Sequence, residues 1–554
     1  MSRVLLIPSV VLLVLAAVCY ALSGGRIWVG TTAQGERPVV VCNMDDISSL
    51  DIHRTSWASD IRTQMALWEG LTAYDPQDLH PVPGVAESWE VTDRGTTYTF
   101  HLRHDAKWSN GDPVTAQDFL FAWQRLITPA TGADYVDLFN VVKGASEYTE
   151  ALAEKKEASF SSVGAAAPDA YTVVVHLKAP CSYFLDLCAF PPFFPLNEKS
   201  MGDAVKDPAN GRWTHPPRLV TNGAYMLTDW RFKQYLELHP NPYYWDRGNV
   251  RTKVLRITAI SDHRAALLAF DTHTVDLLTF VSQTFGEDLL SQKDPAARAM
   301  VHYRPVFGTY YFTFNCARAP LDDARVRQAL SLAVDREKIV RDVTGMHQRV
   351  LGVLVPPDSV PGYKSPDVGE LYDPAKAREL LADAGYPGGA GMRPLELLFN
   401  NEELNHGKVA MAMGQMWERE LGIHVTYRGV ERSTFNQDRR STHNFDIARG
   451  GWYGDYDDPT TWLDLARSDS GNNDGQFKDP AYDALMDAAA REFDPAKRFA
   501  ILAQAEKLIC GKEFPFLMLY QYGDGFMYDA NHLKGVSDNV RLITPLKWIW
   551  RDPA

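Results

Sequence analysis

Pro394-Leu-Glu-Leu-Leu-Phe399, a helical run over 407–420, Ile423-His-Val-Thr-Tyr-Arg428 and Phe445-Asp-Ile-Ala-Arg449 alternate strand with helix in one continuous stretch. That alternation predicts an α/β architecture with mixed sheets. The residues that follow, Ala448-Arg-Gly-Gly-Trp-Tyr-Gly-Asp-Tyr-Asp-Asp-Pro459, break the pattern. Three glycines and a tryptophan precede Asp455 in a segment too polar for a core strand. Glycine lacks the Cβ that would obstruct a second backbone, and a carboxylate beside that approach can hold a cation. A peptide offers both partners: a backbone that adds as a strand and an α-ammonium at its end.

The same α/β grammar extends outward. Helices are predicted at 479–491 and 495–510 on one side and at 374–385 on the other. A long amphipathic helix from Asp323 to Thr344 follows the strand Tyr310-Tyr-Phe-Thr-Phe314. Trp89-Glu-Val-Thr-Asp-Arg-Gly-Thr-Thr-Tyr-Thr-Phe-His-Leu102 reads as a hairpin, because alternating apolar residues flank an Asp93-Arg-Gly95 turn. Asn110-Gly111 marks another turn, and Thr115 with Asp118 forms a near capping box for a helix over 116–127. That helix presents Phe119, Leu120, Trp123 and Leu126 on one face. Further strands are expected from Val39, at 171–177, at 236–239 and at 275–278, the last after a helix that begins at 264.

At 554 residues the chain exceeds a single core and implies about two to four domains. Its 45% hydrophobic and 11% aromatic content describes a folded protein. A formal charge of −14 without a basic stripe argues against nucleic acid as a partner. Arg3, the apolar run Val4 to Val18 and then Ser23-Gly-Gly25 match a secretory leader and are short for a spanning helix. Cleavage after Ser23, retention of 1–23 as a membrane anchor, and lipidation at Cys19 all stay open. Residues 24–38 read as a linker, and nothing later is apolar enough to span a bilayer. Of the remaining cysteines, Cys181 and Cys188 are either a disulfide or two separately buried thiols. No spacing asks for a metal or a cofactor. Nucleophile-elbow, HExxH, P-loop and GxGxxG signatures are absent, and pairs such as Asp457-Asp458 read as caps, so no enzyme is indicated.

Several blocks in chain order resemble the peptide-binding class of solute-binding proteins that serve ABC importers. They are Glu69-Gly-Leu71, Pro83-Gly-Val-Ala-Glu-Ser-Trp89, Thr97 to Arg103, Trp108 to Phe119, Thr221-Asn-Gly-Ala-Tyr225, Asn241-Pro-Tyr-Tyr-Trp-Asp246, Ala319 to Arg327, Gly451 to Pro459 and Ser468-Asp-Ser-Gly-Asn-Asn473. The oligopeptide-binding branch is the most similar. The resemblance implies a bilobal periplasmic-binding-protein-like fold with mixed sheets, a hinge and an extra third domain. Lobe I would combine 39–65, 182–306 and 522–554, with the extra domain 66–181 packed on it and 307–521 forming lobe II. It also implies closure around an oligopeptide ligand, delivery to an ABC transporter permease, and a periplasmic or extracytoplasmic monomer tied to the membrane only through its leader.

Carried over one residue at a time, Asp455 falls where this class holds the ligand's α-ammonium. Burying a carboxylate is costly unless it is paired, and an ammonium supplies that pair. Gly451, Trp452 and Tyr453 fall on a backbone edge from one lobe, and Ser56, Trp57 and Ala58 on the matching edge from the other. Arg439, Arg449 and His406 fall among polar and cationic groups around the ligand pockets and carboxylate. Glu69, Trp89, Trp108 and Trp123 read as packing residues. The chain departs from the pattern at Ser56, usually acidic, at Trp57, usually small, and at Arg432, usually aromatic. Those departures leave peptide length and side-chain preference open. Other cargo carried on this fold (a nickel complex, haem or an oligosaccharide) and a membrane-tethered peptide sensor are the alternative readings.

Overall fold

A computed structural model describes residues 37–552, apart from 45, 48, 56, 206, 208–210, 282–288, 290, 292, 402–403 and 542. The leader, nearly all of the linker and Ser56 therefore lie outside the described residues. Among those described, no helix is long and apolar enough to cross a membrane.

Two long antiparallel strands, Val301–Phe314 and Phe516–Tyr528, form the centre of a ten-stranded sheet. Both are buried along most of their length, as strands covered on two faces are. On one side lie Ile447–Tyr453, Leu395–Asn400 and Val425–Val430. On the other lie Leu277–Val281, Val39–Cys42, Leu255–Thr258, Tyr235–Pro240 and Tyr225–Arg231. Parallel and antiparallel ladders occur in both halves, as the alternation of elements predicted.

The ladder between the two long strands runs from Val301↔Met527 to Pro305↔Gly523, breaks, and resumes at Thr309↔Gln521. Each half of the sheet has its own core. One buries Val41, Leu238 and Ile257 in a cluster continuous with Trp108, Phe119 and Trp123. The other buries Tyr310, Phe312 and Leu397 on one face and Phe307, Tyr311 and Leu463 on the opposite face. The result is a bilobal α/β fold whose halves share only the two long strands as sheet.

The expected hairpin is present as Ala86–Thr92 and Thr97–Leu102, and it opens a separate four-stranded antiparallel sheet with Thr172–His176 and Ala165–Asp169. The helix Ala116–Leu126 carries the expected capping box, with Thr115 N donating to Asp118 Oδ2 at 2.7 Å. Arg125 on that helix reaches Asp51 through both terminal nitrogens (2.8 and 2.6 Å) and His53 Nδ1 (2.8 Å). Burial first, and Arg125 second, push the His53 pKa down to about 3, so the ring is neutral and accepts from Arg125.

Two expectations need correction, and one open alternative is decided. The long helix over 323–344 is instead Ala324–Leu332, then Arg336–Ile339 running into a wide turn at Val340–Thr344. Asp335 caps the second piece by accepting from Lys338 N (3.0 Å). The buried Arg336 donates to the Ser331 carbonyl in the last turn of the first piece and to the Val334 carbonyl just beyond it. The strand expected at 445–449 runs on to Tyr453, through the stretch read as too polar for a core strand. The possible disulfide is not formed: Cys181 and Cys188 are buried free thiols.

Removing Asp51 strands a buried guanidinium. Asp51→Ala is expected to destabilise the protein by about 3 kcal/mol in urea unfolding. A loss below about 0.5 kcal/mol would show that this pair does not fasten the four-stranded unit to the main sheet.

Candidate ligand-binding site

The strand Ile447–Tyr453 pairs with Val301–Phe314 along its whole length, from Ile447↔Phe314 to Tyr453↔Gly308. On its other side the ladder with Leu395–Asn400 covers Ile447 and Ala448 and stops there. From Arg449 to Tyr453 the described residues form no further ladder on this side, an edge to which an extended chain can add.

Alternation along the strand sorts the candidate residues onto two faces. On one, Arg449 Nη2 donates to Tyr522 Oη (2.6 Å), and the Tyr453 ring stacks on Tyr522 at 4.7 Å. His406 joins the same wall through Tyr310, whose Oη lies 3.1 Å from His406 Nδ1 and whose ring lies 5.1 Å below the Arg449 guanidinium. On the other face, Trp452 Nε1 donates to Thr461 Oγ1 (3.4 Å).

The glycines meet a constraint inside the protein that sequence reading did not foresee. A Cβ at Gly451 would lie 2.2 Å from Tyr522 Oη, one at Gly450 2.3 Å from the Tyr311 ring, and one at Gly454 2.2 Å from the Phe307 ring. They make room for the protein's own aromatic side chains.

Asp455 lies two residues beyond the end of this strand. Its backbone N–H donates to Thr461 Oγ1 (3.0 Å), so one threonine hydroxyl fixes both Trp452 and Asp455. Asp455 is an exposed residue, open to solvent, although enough protein surrounds its carboxylate to desolvate it in part. Burial pushes its pKa up to about 6, and among the described residues no cation offsets that rise. Two neighbours behave alike: burial, then the charge of Asp186, lifts Asp457 to about 7, and burial lifts Asp464 to about 6.

The structure brings Gly451, Trp452, Tyr453, Asp455, Arg449 and His406 into one region. Arg439 is placed otherwise: it is buried against Asp474 at 2.6 Å, and its charge is already matched. Trp57 is 63% exposed and immediately precedes the helix Ala58–Leu67, so Ala58 is a first-turn helical residue and not part of an extended edge. Sequence reading missed Tyr135, whose phenol is raised to about 12 by burial and then by the charge of Asp455. The preceding residue, Asp134, donates its N–H to His53 O (2.9 Å), which ties the Tyr135 turn to the segment leading into Trp57. It also missed Tyr522 and Thr461. No local signal marks these three, because each acts on residues distant in sequence. Glu69, read as packing, is buried and accepts from Tyr244 Oη and from Trp245 Nε1 (2.6 Å).

A two-lobed α/β fold thus carries an open strand edge with a carboxylate beside it. Residues 80–474 match the model of the bacterial extracellular solute-binding proteins, family 5 Middle, and the chain belongs to that family. It is 32% identical over 531 residues to the periplasmic oligopeptide-binding protein OppA of Escherichia coli K12, covering 92% of this chain and 93% of that protein. Among solved structures, the unliganded open form of the murein tripeptide-binding protein MppA superposes with a TM-score of 0.81 at 30% identity, covering 93% of this chain and 97% of the other. Haemophilus influenzae OppA in complex with the peptide RPPGFSPFR gives 0.69 at 29% identity, covering 93% and 98%. At identities of 30% and 29%, the likeness is greater to the open form.

The raised Asp455 carboxyl makes a signed prediction. A folded-state pKa above the unfolded value of about 3.9 means that the ionised acid costs stability above about pH 6, and that this cost vanishes below about pH 4. Solvent on the open side tempers its size. Asp455→Asn is expected to melt higher than wild type at pH 8 without ligand and to lose that advantage at pH 4. An unchanged melting temperature at pH 8 would show that the carboxylate is not confined.

Proposed function

We propose that this chain is an extracytoplasmic receptor that captures oligopeptides between its lobes and hands them to an ABC transporter permease. Asp455 carries the reading: a carboxylate raised to about 6 with no cation offsetting it, just beyond the end of a strand whose far edge is unladdered, suits the amino end of an extended peptide. Main-chain pairing along Arg449 to Tyr453 would be indifferent to ligand side chains, which suits a receptor for many sequences. Trp57 and Tyr135 would meet the ligand from the other lobe.

Lobe II would span 307–521, a division supported by the register break between Pro305 and Thr309 in the long-strand ladder. The extra domain over 66–181 would ride with lobe I, whose core is continuous with it. The greater likeness to an unliganded open form supports reading the present arrangement as the open one, which closes when peptide binds. Residues 1–23 would direct export and supply any tie to the membrane, and the receptor would act as a monomer that binds without altering its ligand. A nickel complex, haem or an oligosaccharide would leave both the carboxylate and the strand edge without a use.

A peptide with a free amino terminus is expected to bind at least about tenfold more tightly than its N-acetylated form by calorimetry, since acetylation removes a charge-assisted pair. The preference should hold above pH 7 and weaken about tenfold per unit below pH 6, where Asp455 is protonated in the empty receptor. Asp455→Asn should abolish the preference. Equal affinity of wild type for the two peptides removes the role given to Asp455.

A further inference from the structure

The turn that carries Asp455 is gripped from across the chain by residues 182–186, and three consecutive turn residues each meet that segment. Tyr456 stacks on Tyr183 with ring centroids 4.0 Å apart and planes 18° from parallel. Asp457 N donates to Asp186 Oδ2 (3.4 Å). Asp458 Oδ2 accepts from Ser182 Oγ (2.6 Å). Asp458 is fully buried, and its oxygens also accept from Arg498 (2.5 and 2.9 Å) and from Thr460 N and Oγ1 (3.0 and 2.7 Å). A desolvated ion pair whose acceptors are this fully used has little freedom to rearrange. Asp186 is in turn bound by Arg541, which lies over the Phe307 ring at 5.7 Å.

On its other flank the same turn is bonded to the crossing strand. Gly454 N donates to Phe307 O (2.8 Å), and Phe307 N donates to Val540 O (2.5 Å). Phe307 lies inside the register break where Val301–Phe314 passes from one half of the sheet to the other. On the proposed division of the chain, Asp455 is thus bracketed by the crossing strand and by a lobe I segment, although it belongs to lobe II. When two rigid bodies rotate about a shared axis, points near that axis move least.

We infer that Ser182, Tyr183 and Asp186 are positioning residues that hold the 455–458 turn at the pivot of lobe closure, so that the ammonium site keeps its geometry in the open and closed receptor. This rests on the reading of Asp455 as the ammonium partner. A purely structural junction would behave differently, because loosening it would weaken every ligand alike.

The test compares one peptide as free amine and as N-acetyl derivative, by calorimetry at pH 7.5, on wild type, Ser182→Ala, Tyr183→Leu and Tyr183→Phe. Ser182→Ala and Tyr183→Leu should each lower the free-amine preference about tenfold while leaving the acetylated peptide's affinity unchanged, and Tyr183→Phe, which keeps the stacked ring, should retain the preference. If Tyr183→Leu does not fold, the solvent-exposed Ser182 supplies the same comparison. Equal losses for both peptides, or an unchanged preference in both variants, overturn the positioning role and leave Asp455 standing. Absence of a preference in wild type sinks the reading of Asp455 itself, and with it this inference.

Discussion

The hydrogen bond from Gly454 N to Phe307 O is where fold and function meet. It joins the strand end that presents Asp455 to the point at which the long central strand leaves one half of the sheet for the other. On the proposed reading, a carboxylate held there would act as a fixed post between two lobes that close on a ligand. Its raised pKa states the same fact in energetic terms: the folded chain accepts an unfavourable charge that a cationic guest would relieve.

The aromatic wall around this post explains the local sequence. Tyr310 stacks on Tyr520, and Tyr522 stacks on Tyr453 while accepting from Arg449. Gly450, Gly451 and Gly454 yield their Cβ space to Tyr311, Tyr522 and Phe307, so rings from both long strands set the path of Ile447–Tyr453 and the residues after it. The edge left beyond Ala448 follows from where Leu395–Asn400 ends its ladder, and the composition of residues 449–453 plays no part in it.

Local signals were legible in the sequence, and remote ones were not. The hairpin around Asp93 to Gly95, the Thr115 capping box, and the helices expected at 374–385, 479–491 and 495–510 could all be read from short local stretches. Phe516–Tyr528, the second central strand, went unread as an element: both faces are buried, so it lacks alternation, and Gly523-Asp-Gly525 has the composition of a turn. In the site, resemblance pointed to Asp455 and its strand. It could not separate Arg449, which faces the aromatic wall, from Arg439, which Asp474 neutralises. Tyr135 and Thr461 became visible only once chain folding set them beside Asp455.

The most direct test of the account is a carbon-13 NMR titration of the Asp455 side-chain carboxyl, with and without a saturating free-amine peptide. The account predicts a midpoint near 6 in the empty protein and a marked downward displacement when the peptide's ammonium arrives. A midpoint of about 4 in both states, the ordinary value for an aspartate, would contradict it.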